Sequence, residues 1–202
     1  MAIIPQRQIS LNAGTDFSLG ILAGGHGRRW GGRDKGLIAF RGRPLVANAC
    51  EPRPPRAREI LICCRDNAHF YSHYGDRVLC ESAPHRGPCA GIGALLTACE
   101  SETLIVLPTD LLSASEPLIA ALEHAWTEGD RAIVLTDEDG NHSPCIKIGK
   151  PMLATCNAFL ERGDNKLSGL LSALSAKAVP VTSLWLRDAD RPADMPTQSE
   201  AR

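Results

Sequence analysis

Aromatic residues are scarce in this chain, at 4%, with four Phe, three Trp and two Tyr among 202 residues. A core built on large rings is thereby excluded. The 44% hydrophobic content must come mainly from Ala, Leu, Ile and Val, and it is too high for an intrinsically disordered chain. Neither sign of charge dominates, because 22 Lys plus Arg stand against 23 Asp plus Glu, a formal net charge of -1. That balance supplies no global basic field for nucleic acid or an anionic membrane, so partners have to be read from a local site. No apolar run approaches the roughly 18 residues that a membrane-crossing helix needs. Residues 1–16 also lack the apolar stretch and small-residue cleavage site of a secretory signal. We therefore expect a soluble, cytoplasmic protein. The cysteines at 50, 63, 64, 80, 89, 99, 145 and 156 include no Cys-x-x-Cys pair, and most sit inside apolar runs. They read as reduced thiols used as small hydrophobes.

A chain of this length suits one α/β domain with its core. We expect that domain over 17–195, with a loose tail at 1–16 and a frayed end at 196–202. Apolar runs of strand length alternate with helical periodicity, which predicts a three-layer α/β/α Rossmann-like fold around a mixed, mostly parallel sheet. Strands are predicted at 17–23, 59–63, 77–80, 103–107, 132–136, 143–148 and 178–182. Helices are predicted at 44–51, 67–74, 90–99, 115–126, 151–162 and 166–175. Between the fifth and sixth strands lies Asp137-Glu138-Asp139-Gly140-Asn141-His142, whose Asp-Gly pattern predicts a hairpin and hence an antiparallel pair. The run Pro52-Arg53-Pro54-Pro55-Arg56 cannot continue a helix and reads as a surface loop.

The first strand runs into Leu22-Ala23-Gly24-Gly25-His26-Gly27-Arg28-Arg29-Trp30-Gly31-Gly32-Arg33-Asp34-Lys35-Gly36. Glycine lets backbone N–H groups approach anionic oxygens, while Arg28 and Lys35 supply positive charge, so the segment reads as a phosphate cradle. Two commoner phosphate motifs are absent. A dinucleotide fingerprint needs Gly where Trp30 stands, and a Walker A loop ends in Gly-Lys-Ser/Thr rather than Asp34-Lys35-Gly36.

Thr103-Leu104-Ile105-Val106-Leu107 is continuous apolar sequence, as in a strand buried on both faces, and it leads into Pro108-Thr109-Asp110. Ligands of open α/β sheets bind beyond the carboxyl ends of the strands, so Asp110 should converge with the exit of Ala23. A carboxylate there holds Mg²⁺ against phosphate oxygens, although an Asp in this place serves equally as a cap. The opening Gly87-Pro88-Cys89-Ala90-Gly91 of the third helix is small enough for a flat purine to approach its backbone. Guanine presents N–H donors on one edge, and Glu81 at the end of the preceding strand is a candidate acceptor for them.

Leu22-Ala23-Gly24-Gly25, Arg28 and Gly31-Gly32-x-Asp34-Lys35-Gly36-Leu37 together strongly resemble the molybdenum cofactor guanylyltransferases, a branch of a wider nucleotidyltransferase group. Further matches at Arg41-Gly42-Arg43-Pro44-Leu45, Gly87-Pro88-Cys89-Ala90-Gly91, Pro108-Thr109-Asp110 and His142-Ser143-Pro144 extend the resemblance over 17–195. It implies an enzyme that moves GMP from GTP to molybdopterin with Mg²⁺ as cofactor. Asp110 would be the metal ligand, and Lys35 and Arg28 would be the catalytic cations. Leu22, Ala23, Gly24, Gly25, Glu81, Gly87 and Gly91 would contact the nucleotide. It also implies transient contact with proteins that make the cofactor or with molybdoenzymes that receive it. His142-Ser143-Pro144 and Lys166 resemble positions facing the acceptor, although a turn and a helix surface explain them equally.

The chain departs from the family pattern in three places. Glu81 stands where relatives carry Asp, and Ile62 stands where they carry a nucleotide-contacting Asn, a contact that is lost or supplied by Asn67. Asp188-Ala189-Asp190-Arg191-Pro192 replaces an Asn-x-Asn-Thr-Pro segment and brings a pair of carboxylates that would help to coordinate the metal, although an acidic turn explains them equally. These substitutions keep two rival readings open: a relative that uses CTP or a sugar-phosphate acceptor, and a binding protein without turnover.

Overall fold

The computed structural model describes residues 16–24, 30–80, 87–189 and 191–194. In chain order its strands are β1 (Phe17–Ala23), β2 (Ala39–Phe40), β3 (Arg43–Pro44), β4 (Ala57–Cys64), β5 (Arg77–Cys80), β6 (Thr103–Pro108), β7 (Ala132–Thr136), β8 (His142–Gly149) and β9 (Lys177–Pro180). Its helices are α1 (Leu45–Cys50), α2 (Ala68–Tyr71), α3 (Gly87–Ala98), α4 (Ser115–Ala125), α5 (Leu153–Glu161) and α6 (Leu167–Ala173). Seven strands form one sheet in the order β5-β4-β1-β6-β8-β7-β9. Only β8 runs against its neighbours, being antiparallel to both β6 and β7. The mixed, mostly parallel sheet expected from the sequence is therefore observed.

The apolar strands are buried on both faces because period-two alternation feeds two separate cores. Leu19, Ile21, Ile60, Ile62, Ile105 and Leu107 face one side, where Val46 of α1 and Leu118 and Leu122 of α4 meet them. Leu61, Leu104, Val106 and Ile146 face the other, against Ile92 and Leu95 of α3, Phe159 of α5 and Leu170 of α6. Gly20 lets α3 settle on the sheet, since a Cβ there would lie 3.0 Å from the Leu95 side chain. Seven of the eight cysteines are buried and all are free, and burial pushes the Cys50 and Cys145 thiols up to about 12. They pack as small hydrophobes, while Cys80 is exposed.

Boundaries follow the sequence expectation at β1, β5 and β7 and differ elsewhere for identifiable reasons. α2 is a single turn rather than a helix over 67–74, because the chain must bring Gly75 against Ile62, where a Cβ would come within 2.8 Å. β9 stops at Pro180 instead of 182, since Thr182 caps a 3-10 turn at Ser183–Leu186. The β2–β3 hairpin was not predicted. Its strands have two residues each, too few for periodicity, and its turn carries positive φ at Arg41 and Gly42. The expected hairpin between β7 and β8 is present, closed by Asp137, whose carboxylate accepts from the Asp139 and Asn141 N–H groups at 3.0 and 2.8 Å.

At the amino edge of the sheet a single carboxylate ties several segments together. Glu59 of β4 is 7% exposed and accepts from Ser18 Oγ of β1 at 2.7 Å, from the Glu100 N–H at 2.7 Å and from the Arg77 guanidinium of β5. Burial opposes its ionisation, but these donors outweigh it and hold the Glu59 carboxyl below the usual range. A lowered folded value contributes stability in full above the unfolded value of about 4.3 and loses it as pH falls through the folded one. Glu59→Gln should therefore cost about 1 to 3 kcal/mol at pH 7, and the gap to wild type should narrow below about pH 4. Denaturant unfolding at several pH values checks this, and a gap that stays constant into acid would contradict it.

Candidate active site

The opposite, carboxyl edge of the sheet is where the candidate residues gather. Parallel register brings the strand ends level: Leu22 pairs with Pro108, Ala23 with Cys64, and Cys64 with Cys80. From β1 the chain goes to β4 and β5 on one side, while β6 lies on the other, so a topological switch point falls between β1 and β6. Crevices at such points receive ligands because the loops leaving adjacent strands diverge there. The Leu22 carbonyl accepts the Thr109 N–H at 3.1 Å, which fixes the start of the loop after β6 and with it Asp110.

The lysine is delivered to this crevice by a short, heavily anchored turn. Trp30 donates its indole N–H to the Ala189 carbonyl at 2.9 Å, and Gly31 and Gly32 turn the chain with φ of 66° and 82°. Asp34 then caps a 3-10 turn, Lys35–Leu37, by accepting the Gly36 N–H at 3.1 Å. The same carboxylate accepts the Asn67 amide at 3.0 Å and the Tyr71 hydroxyl at 2.5 Å. Leu37 packs on the core cluster that contains Tyr71. The glycine of Asp34-Lys35-Gly36-Leu37 is sterically required, since a Cβ on Gly36 would meet the Tyr71 oxygen at 2.4 Å. With both neighbours held, Lys35 extends its Nζ to within 2.9 Å of Asp110 Oδ2, the two side chains being 15% and 21% exposed.

A third segment closes the crevice from the carboxyl-terminal side. The Ala189 N–H donates to the Asp110 carbonyl at 2.8 Å, Leu111 forms an antiparallel bridge with Asp188, and the Leu112 N–H donates to the Arg187 carbonyl at 3.0 Å. Beside it lies a polar cleft of about 470 Å³ lined by Asp137, Arg187, Asp188, Arg191 and Asp194, among others. Asp188 is thus brought next to the Asp110 segment by backbone pairing. Asp190, its predicted companion, lies outside the described residues.

The structure brings Leu22, Ala23, Gly24, Lys35 and Asp110 to one edge. Gly25, Arg28 and Glu81 lie outside the described residues. Gly87 is exposed at the start of α3 with φ of 63°, and Gly91 is buried one turn further on. Lys166 is exposed beside that start, because the Asn165 carbonyl accepts from Cys89 Sγ at 3.3 Å. His142 pairs with Thr136 at the carboxyl end of β7, on the Asp110 side of the sheet. Ile62 is fully buried in β4 and is a core residue. Asn67 instead reaches the lysine turn. Sequence reasoning missed Tyr71 as a site residue, although its spacing of four from Asn67 puts both on one helical face.

Among the described residues no three His, Cys, Asp or Glu side chains converge on a common point. Asp110, beyond β6, is the carboxylate that pairs with Lys35, and Asp188 lies one backbone pairing away. This sparse, all-oxygen donor set does not suit zinc, which needs three or four protein ligands. It suits magnesium, which takes one or two carboxylates and fills its shell with phosphate oxygens and water.

Comparison with known proteins agrees with this geometry. Residues 19–179 match the family described as the MobA-like NTP transferase domain. A molybdenum cofactor guanylyltransferase from Shewanella halifaxensis is 34% identical over 149 residues, covering 73% of this chain and 74% of that protein. Among solved structures, the molybdopterin-guanine dinucleotide biosynthesis protein A of Archaeoglobus fulgidus superposes with a TM-score of 0.70 at 21% identity, over 89% of this chain and 95% of that one. The inositol-1-phosphate CTP transferase of T. maritima superposes with a TM-score of 0.69 at 17% identity, over 93% and 95%, and at these identities the structures speak for the fold alone. The matched span covers β1, the lysine turn, β6 and Asp110, and the chain belongs to the MobA-like NTP transferase family.

Proposed function

We propose that this protein transfers GMP from GTP to the terminal phosphate of molybdopterin, forming molybdopterin guanine dinucleotide and releasing pyrophosphate. The observation that carries this reading is the 2.9 Å approach of Lys35 to Asp110 at the switch point between β1 and β6. A cation and a hard carboxylate held together where loops diverge are the two charges a magnesium triphosphate requires. The 34% identical relative, named for the same transfer, supports the choice of nucleotide and acceptor.

In this reading an oxygen of the acceptor phosphate attacks the α-phosphorus of GTP in line. The bond from α-phosphorus to the oxygen bridging toward the β-phosphate breaks, and pyrophosphate leaves with that oxygen. A phosphate monoester is already an anionic nucleophile, so neither a covalent enzyme intermediate nor a strong general base is needed. Lys35 and Arg28, with the backbone of Leu22, Ala23, Gly24 and Gly25, stabilise the charge that builds on the leaving group. The Asp110 ion pair orients the Lys35 ammonium before substrate arrives, so little reorganisation is left for the reaction. Asp110 would hold Mg²⁺, which supplies charge neutralisation on the triphosphate when bound. Glu81 would accept the guanine N–H donors beside the Gly87 and Gly91 backbone. Arg187 and Arg191, in the polar cleft that Asp188 also lines, would meet an anionic acceptor. A cytoplasmic setting, where GTP is available, fits this reading, and no described helix is long and apolar enough to cross a membrane.

Asp110→Asn tests the reading at the carboxylate. The amide has the same size but is a much poorer magnesium ligand. The variant should keep its circular dichroism spectrum and thermal midpoint within a few degrees while product formation falls by roughly a hundredfold or more. Near-normal turnover in a folded Asp110→Asn protein would remove Asp110 from the metal site.

A further inference from the structure

We infer that Tyr71 and Asn67, acting through Asp34, are positioning residues that set the direction of Lys35. The inference rests on the catalytic reading of Lys35 given above, and it adds residues outside the motif that suggested that reading. Tyr71 is fully buried, yet its hydroxyl emerges from the core at 2.5 Å from Asp34 Oδ1. Asn67 Nδ2 reaches Asp34 Oδ2 at 3.0 Å from a backbone in the left-handed region, with φ of 59°. Such a conformation costs a non-glycine residue free energy and persists where surrounding contacts over-determine it. Asp34 thereby collects donors from α2 while capping the turn that begins with Lys35.

A turn of only three residues has no stability of its own to fix a side-chain direction, so its anchors decide it. Both anchors lead to Tyr71. On one side of Lys35, Asp34 accepts the phenol. On the other, Gly36 lies so close to the Tyr71 ring that even a methyl group is excluded, with virtual contacts of 2.4, 3.1 and 3.2 Å. Burial, with the Asp34 carboxylate beside it, pushes the Tyr71 hydroxyl far above its ordinary range, so it remains a donor at every working pH. Loss of that donor removes one of the three bonds that hold Asp34 and loosens the direction in which the turn presents Lys35 to Asp110. A displacement of about 1 Å at a reacting group is enough to cost orders of magnitude in rate.

The first test needs no substrate. Acetic anhydride is applied to wild type and Tyr71→Phe, and the modification rate of Lys35 is followed by peptide mass spectrometry against the exposed Lys166. The relative rate at Lys35 should rise at least threefold in the variant, because its ammonium is held less firmly on Asp110. An unchanged relative rate overturns the inference, whatever the protein's activity. The second test is a double-mutant cycle on product formation from GTP. Tyr71→Phe should lower kcat about tenfold with KM for GTP within twofold, and should change kcat less than twofold when placed in Lys35→Ala. Equal tenfold losses in both backgrounds would mean that Tyr71 acts independently of Lys35 and would overturn the inference alone. Full turnover in Lys35→Ala would instead overturn the catalytic reading of Lys35, and this inference with it. Should Tyr71→Phe fail to fold, Asn67→Ala, at a half-buried position, carries both tests with the same expected directions.

Discussion

At 2.9 Å the Lys35 ammonium and the Asp110 carboxylate join the turn after β1 to the end of β6, two segments 75 residues apart. Nearly every feature of the carboxyl edge is needed to hold that distance. The β1–β6 register sets the two exits level, the Thr109 N–H pins the loop to Leu22, and the Ala189 N–H holds the Asp110 backbone from the far side. Trp30 donates to the carbonyl of that same residue, Ala189, so the lysine loop and the Asp110 loop share one strap. A pair this far withdrawn from water gives up part of its hydration for a Coulomb gain of similar size, leaving on the order of 1 kcal/mol of either sign. Stability therefore does not explain it. The arrangement is better understood as charge placed in advance, where a polyphosphate can use it.

The two edges of the sheet handle polar groups in opposite ways. At the amino edge Glu59 is closed in by donors from β1, β5 and the turn at Glu100, and nothing remains for a ligand. At the carboxyl edge Asp34 is satisfied in the same manner, by three donors. Asp188 instead lines an open cleft, and Asp110, one backbone pairing away, carries the ion pair with Lys35. The aromatic scarcity of the sequence gives this division a particular form. One of only two tyrosines is spent under the lysine turn, where its ring fills the core and its hydroxyl reaches Asp34.

Much of this was legible in the sequence because the decisive signals are local. Apolar runs bounded by turn residues marked β1, β5 and β7 to the residue, and Asp-Gly marked the β7–β8 hairpin. The position of Asp110 beyond β6 followed from the general behaviour of α/β sheets, and Lys35 was read from the glycine-rich loop after β1. What escaped was non-local. Nothing near Tyr71 announces that it will lie under Gly36, and the Trp30 to Ala189 bond spans 159 residues. Ile62 is fully buried in β4, where Gly75 also packs against it. The two-residue strands β2 and β3 are too short for any periodicity to register.

Guanylyl transfer to a molybdopterin phosphate is tested most directly by measuring the product itself. The protein would be incubated with molybdopterin and Mg²⁺ in four parallel reactions, each with one NTP, and the products analysed by mass. GTP alone should yield a molybdopterin adduct one GMP heavier together with pyrophosphate, with ATP, CTP and UTP giving at most about a tenth as much. Equal use of the four nucleotides, a CMP adduct as the main product, or tight nucleotide binding without any adduct would contradict the account.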